Sequence, residues 1–357
     1  MPIVSTLAQA LHHCHSHQSN DCHPIVIRSL QLVVLLFLAS PFLSQNPPVN
    51  SQPATITATS NLVVVPTQVR SSSGSPILNL NTQDFHLTDN GVQQTILAES
   101  IDRQPMAIVV LMQTGGAAPR QFQNYRTFNL LLSALLSSTP DLKIARTSHK
   151  VALVTFDSQL REIWNFPSQV DGLKHAFANP EGGDPGAAIL DALNGGLALL
   201  EQQPPAFRRV LLLLSQSQDS ESQTSPKDLV LRLAASNTIV YSISFGGKQA
   251  RTRSAPFTLE EAAASMRQDP AREAAALSGG EFVALQHTDD LVQTLSILAT
   301  DFANSYTLSF HPSMPQPGLH TLSIQFARRS THRRITARAI YWLGSPNRES
   351  PERPSVE

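Results

Sequence analysis

Hydrophobic positions recur in a regular succession through the middle of the chain. Met106 to Thr114 is a nearly continuous apolar run closed by Gly115-Gly116, and behind it Gln121 to Leu136 has the spacing of an amphipathic helix. A strand buried on both faces reads as an unbroken apolar run, so this unit predicts a central parallel strand feeding a helix through a tight loop. The unit repeats. Lys150 to Phe156, Arg208 to Ser215, Thr238 to Phe245 and Glu281 to Leu285 are further short strands, separated by segments with helical spacing of Leu and Ala. Strands alternating with helices predict a doubly wound, mostly parallel α/β sheet whose functional edge lies at the carboxyl ends of its strands. The loops after Gln113, Phe156 and Ser215, and the one entering the helix at Ala187, are where chemistry is to be sought.

On either side the period changes to two. Asn61 to Arg70 is valine-rich, and Phe85 to Thr88 followed by Asp89-Asn90-Gly91 and Val92 to Leu97 reads as a hairpin, since Asn-Gly tolerates the positive φ of a tight turn. Tyr306 to His311, Leu319 to Phe326 and Ile335 to Leu343 alternate in the same way, split by Pro317-Gly318 and by Arg328-Arg329. Strand groups this small are marginal alone, so the N-terminal piece (61–102) and the C-terminal piece (305–343) are expected to pack together. The α/β domain (105–304) would then be an insert in a β-sandwich-like base. The polar, Pro-rich tail (344–357) is expected to be disordered.

Composition changes the picture mainly at the N-terminus. The chain of 357 residues has a formal net charge of −1 and no block of like charge, which gives no sign of nucleic-acid or anionic-membrane binding. Its only cysteines are Cys14 and Cys22, so nothing downstream depends on a disulfide or thiol. Residues 1–24 crowd His12, His13, Cys14, His15, His17, Cys22 and His23, but no pattern there would hold them in tetrahedral geometry. They read as a disordered or untranslated leader with the true start near Val26. Residues 25–44 place Arg28 before the apolar run Leu30 to Ala39, the pattern of an export signal or an uncleaved N-terminal anchor. A Pro/Ser/Asn/Thr-rich linker (45–60) follows.

Taken in order, several stretches carry a family resemblance: Asp84-Phe85 with Asp89 to Gln94, Ala107 to Met112, Val151 to Phe156, Gly182-Gly183 with Ala188 to Leu193, Arg209 to Ser215, Val240 to Ile243, Leu277 to Gly280, Tyr306 to Phe310, and Ala337 to Tyr341. Their joint order and spacing resembles the von Willebrand factor A-related proteins of acidobacterial type. The resemblance implies an exported protein with a von Willebrand A, Rossmann-like domain, a fold that generally serves adhesion and protein assembly. It also implies one Mg²⁺ at the top of the sheet, held by an Asp-x-Ser-x-Ser loop after the first strand, a Thr before the third helix and an Asp after the fourth strand. This sequence departs from that set at every position, with Gln113, Gly115, Ala117, Ala187 and Gln216 in those places. Mg²⁺ requires carboxylate and hydroxyl oxygens, so no metal and no cofactor is expected here. The competing reading is a repositioned divalent site using neighbours such as Thr114, Ser215, Ser217, Asp157, Asp184 and Asp219.

Other chemistries find less support. Gly115-Gly116 belongs to no G-x-G-x-x-G or phosphate-cradling loop, and Ser215 lacks the flanking glycines of a nucleophile elbow. His149, His175, His287 and His311 are scattered singly, Asp191 reads as a packing or capping residue, and Trp164 and Trp342 read as core or interface fillers. The Arg328, Arg329, Arg333 and Arg334 patch reads as a solvated hairpin edge. The expectation is therefore a non-enzymatic, exported interaction module, periplasmic, surface-bound or secreted. Its partner would be a protein or envelope polymer, met on a rim that includes Thr114, Arg120, Asp157, Asp184, Ser217 and Asp219. The alternative is a structural scaffold or spacer of the cell envelope.

Overall fold

The computed structural model describes residues 62–101, 104–128, 149–166, 170–245, 257–285, 290–328 and 332–344, and its first described element is a valine-rich strand. The leader (1–24), the signal or anchor segment (25–44), the linker (45–60) and the tail past residue 344 lie outside the described residues, as do Arg329 and His287. Among the described residues no helix is long and apolar enough to cross a membrane.

Four strands come first: Val63–Ser71 (β1), Phe85–Asp89 (β2), Val92–Gln94 (β3) and Ala98–Ile101 (β4). Alternation in β1 buries Val63, Val65 and Val69. The β2–β3 hairpin turns on Asn90 and Gly91, both at positive φ (48° and 81°), which is what a two-residue hairpin turn demands of its central pair.

The α/β part follows. Its elements are Met106–Gln113 (β5), a helix entered at 122 and described to 128 (α1), Lys150–Phe156 (β6), Leu160–Trp164 (β7), Val170–Ala178 (α2), Ile189–Glu201 (α3) and Arg208–Ser215 (β8). Pro226–Ala235 (α4), Thr238–Phe245 (β9), Leu259–Gln268 (α5), Pro270–Ser278 (α6), Phe282–Leu285 (β10) and Asp290–Ala303 (α7) complete it. The sheet order is β10-β9-β8-β5-β6-β7, parallel except for the antiparallel edge strand β7. Every residue of β5 is buried, because α1, α2 and α7 cover one face and α3 to α6 the other. This is the doubly wound sheet that the apolar runs predict. β7 escaped that reading, since three of its five residues are exposed and its apolar period is faint.

The chain returns through Tyr306–Phe310 (β11), Gly318–Phe326 (β12), Arg333–Ala337 (β13) and Ile340–Leu343 (β14). These interleave with the first four strands in two antiparallel sheets, β13-β1-β11-β4 and β14-β12-β2-β3, around Val65, Leu87, Leu308, Phe310, Leu322 and Tyr341. Ile335 to Leu343, expected as one strand, is two strands in different sheets. The break falls at Arg338, whose buried guanidinium donates to Ile340 O (2.7 Å), Asn237 Oδ1 (2.5 Å), Ala234 O (2.6 Å) and Ser236 O (2.8 Å). A guanidinium has five N–H donors, and the contacts of this one to Ala234 O and Ser236 O fall at the end of α4, where the helix dipole is negative. Burial pushes its pKa down to about 10. Arg70 makes a second tie between the two parts, pairing with Asp301 and with Glu281 (2.7 Å). Trp342, expected as a filler, is 45% exposed.

Candidate functional site

The connection after β5 runs to β6 on one side, and the chain then returns to β8 on the other side of β5. The ends of β5 and β8 therefore flank the crevice where an open α/β sheet binds its ligands. Gln113 and Gln216 meet there. Gln113 Nε2 donates to Gln216 Oε1 (3.1 Å) and to Gly115 O (3.0 Å), and Gln113 Oε1 accepts from the Gln216 backbone N–H (2.8 Å). Gln216 Nε2 in turn donates to Gln218 O (2.8 Å). Both carboxamides are thus engaged within the crevice. The Gln113 carbonyl accepts from the Tyr125 hydroxyl (2.8 Å), and burial raises the pKa of that phenol.

The loop after β5 is pressed against two others. Thr114 N donates to Phe156 O (2.7 Å), Gly183 N to Thr114 O (3.0 Å) and Gly116 N to Asp184 O (2.9 Å). A Cβ on Gly115 would lie 2.4 Å from Gly186 O and 2.5 Å from both Asp157 Cβ and Asp184 O, so no serine fits here without moving backbone. Ala187 is fully buried and pairs in a short bridge with Ser220. Ala117 is exposed and precedes a 3-10 turn, Ala118–Gln121. At the five positions where the family resemblance implies ion ligands, then, the structure places an amide pair, a glycine with no room for a side chain and two alanines.

The neighbouring oxygen ligands are committed elsewhere. Asp157 is fully buried and accepts from Asp184 N (3.1 Å), Gln159 N (3.1 Å) and Arg161 Nε. Asp184 accepts from Ser158 Oγ and from the backbone N–H groups of Gly186 (2.8 Å) and Ser158 (3.0 Å), with Arg161 Nη2 at 3.1 Å. The Ser158 hydroxyl foremost, then those amides and Arg161, hold the Asp184 carboxyl below its usual range, against the opposing effect of burial. Asp157 first and Asp184 second raise the pKa of Arg161. Asp219 accepts from Leu190 N (3.0 Å) and Ser222 Oγ (2.6 Å), giving α3 the N-terminal cap that Ala188 cannot supply. Asp191 accepts from Thr224 N (2.7 Å) and Gln223 N (2.9 Å), so the serine-rich loop after β8 is fastened to α3. Ser215 Oγ donates to Gln216 O (2.7 Å). Among the described residues no group of three or more His, Cys, Asp or Glu is arranged to hold a metal ion.

Two of the rim positions need correction. Thr114 is 5% exposed and Asp157 0%, because the loops nest at Gly115, so neither side chain faces outward. Arg120 is exposed; Asp184, Ser217 and Asp219 are partly so. Sequence reasoning missed Arg161, which sits on the unrecognised strand β7, and it missed the Gln113–Gln216 contact, whose partners are separated by 103 residues.

Neither a family model nor a curated protein matches the sequence. Among solved structures the chain is similar to proximal thread matrix protein 1 from the mussel byssus, with a zinc-occupied MIDAS motif, at TM-score 0.41 and 16% identity over 60% of this chain and 49% of that one. It spans about half the length of that protein. A von Willebrand factor type A protein from Catenulispora acidiphila is similar at TM-score 0.41 and 8% identity, over 80% of this chain and 74% of that one. The pilus adhesin SpaC from Lactobacillus rhamnosus GG is similar at TM-score 0.37 and 10% identity, over 77% and 47%. What the strand order itself gives is a doubly wound, mostly parallel α/β sheet with one antiparallel edge strand.

Proposed function

We propose that this protein is an exported, non-enzymatic protein-interaction module whose A-type domain makes its contacts without a divalent ion. The observation that carries the reading is the Gln113–Gln216 amide pair at the crevice. An ion that must exchange its hydration shell for protein oxygens gains from carboxylates, and two neutral amides already bonded to each other offer it no such gain. Without an ion, an acidic side chain of a partner has no coordination sphere to complete. Binding then rests on ordinary surface contacts. The non-enzymatic part is supported by Ser215, which is 1% exposed and donates to a carbonyl rather than to a base. Export follows from the Arg28 and Leu30 to Ala39 pattern.

The test is capture of envelope proteins by the immobilised full chain, with and without EDTA. A retained set unchanged by the chelator is expected; capture abolished by EDTA and restored by Mg²⁺ would contradict the reading. A scaffold or spacer role is the second reading, favoured by the Arg338 and Arg70 ties that fix the α/β part to its β base. Alanine replacement of Arg120 and Ser217 with unchanged capture would support it.

A further inference from the structure

A cleft of about 720 Å³ opens beside the crevice, between β6, β7, the C-terminal turn of α2 and residues 179–184. That volume is in the range of built ligand pockets, roughly 300–1,000 Å³. Met112, Thr114 and Thr155 line its buried side, and the partly buried Trp164 indole is part of its lining. Four carboxylates, Asp157, Glu162, Glu181 and Asp184, share it with one guanidinium, Arg161, and with His175. Arg161 is already bound by Asp157 and Asp184. Glu162 and Glu181 are exposed, and their carboxylates have no ion-pair partner among the described residues. Helix α2 ends here at Ala178, whose carbonyl already accepts from Arg126 Nε (3.0 Å), so the countercharge for a ligand comes from the side chains of the cleft.

The cleft also adjoins a free strand edge. β7 contributes Arg161, Glu162 and Trp164 to the lining and is the outermost strand of its sheet among the described residues, with Ile163 52% exposed. An outermost strand offers unpaired backbone groups to an extended segment, whose alternate side chains then enter whatever pocket lies beside it.

We propose that this cleft takes a lysine or arginine side chain from an extended, basic segment of a protein partner, laid along β7. Trp164 supplies a π face for the cation, and Glu162 and Glu181 supply the countercharges. The sign is opposite to that of ion-mediated capture, in which the partner contributes an acid. This deepens the interaction-module reading and rests on it.

The probe is a fluorescein-labelled peptide of alternating threonine and arginine, with glutamate and glutamine versions as controls, titrated into the full chain by fluorescence polarisation. Binding of the arginine peptide alone is expected. It should weaken with added salt and fall about tenfold in the E162Q/E181Q double variant, the scale of two partly exposed ion pairs. Both positions are exposed, so the variants keep the fold. In a Trp342→Phe background the remaining indole, Trp164, should change its emission on binding. Equal binding of the glutamate peptide, binding indifferent to the double variant, or no binding of the arginine peptide would each overturn the proposal. If the arginine peptide fails while EDTA-insensitive capture of envelope proteins persists, the cleft assignment falls and the interaction-module reading stands.

Discussion

Replacing Gly115 with serine restores one hydroxyl that the family resemblance implies for the loop after β5, and the structure says what that costs. The new Cβ would lie 2.4 Å from Gly186 O and 2.5 Å from Asp184 O, where ordinary contact begins at 3.4 Å, so backbone must move by about 1 Å. That segment is not free to move. Asp184 O accepts from Gly116 N (2.9 Å), and the Asp184 carboxylate holds Gly186 N (2.8 Å) and Ser158 N (3.0 Å). Overpacking costs about 1–3 kcal/mol, and each buried hydrogen bond broken adds about 1 kcal/mol. A loss of roughly 3 kcal/mol lowers the melting temperature by about 5 °C in a chain of this size. Gly182→Ser is the control, because its nearest neighbour is Pro119 Cγ at 4.0 Å, and its effect should stay within about 0.5 kcal/mol. Scanning calorimetry of the full chain and both variants is the assay. Wild-type stability in Gly115→Ser would refute the nested-loop geometry, and with it the argument that the ion ligands cannot be restored singly.

Arg338→Met should destabilise by about 3–5 kcal/mol, since it strips a buried charge from four acceptors, Ile340 O, Asn237 Oδ1, Ala234 O and Ser236 O; urea denaturation measures it. Asp89→Asn should cost about 2 kcal/mol by the same assay, because the Asp89 carboxylate accepts from the Tyr341 hydroxyl (2.7 Å) and lies 2.8 Å from His320 Nδ1 in the interior of the β base. Gln113→Leu should cost about 2 kcal/mol, leaving Gln216 N and Gly115 O without their partner. The depressed pKa of Asp184 means that its contribution is complete above the ordinary carboxylate range and is lost as pH falls through its own lower value. Amide-exchange protection of Ser158 and Gly186 should therefore drop in acid; protection unchanged down to the acid limit of folding would count against that network.

Strands buried on both faces announce themselves in sequence, which is why β5, β6, β8 and β9 were legible as apolar runs. β7 was not, because an edge strand with exposed Arg161, Glu162 and Ile163 carries little apolar signal. Nor was the break at Arg338, whose partners Ala234 and Asn237 lie about a hundred positions earlier. At the crevice, the resemblance led to Gln113, Gly115, Ala187 and Gln216 by position. Their contacts were beyond it: an amide pair forms only once β5 and β8 are neighbours, and the burial of Thr114 and Asp157 depends on three loops crossing at Gly115. The polar loop Ser217 to Gln223 looked like a binding rim in sequence. Part of its polarity instead caps α3, through Asp219 and Ser222.

Isothermal titration of Mn²⁺ and Mg²⁺ into the full chain bears most directly on whether this α/β domain works without an ion. No saturable heat at millimolar metal is the expected result, in the wild type and in Asp184→Ala alike. Micromolar binding that disappears in Asp184→Ala or Asp219→Ala would contradict it.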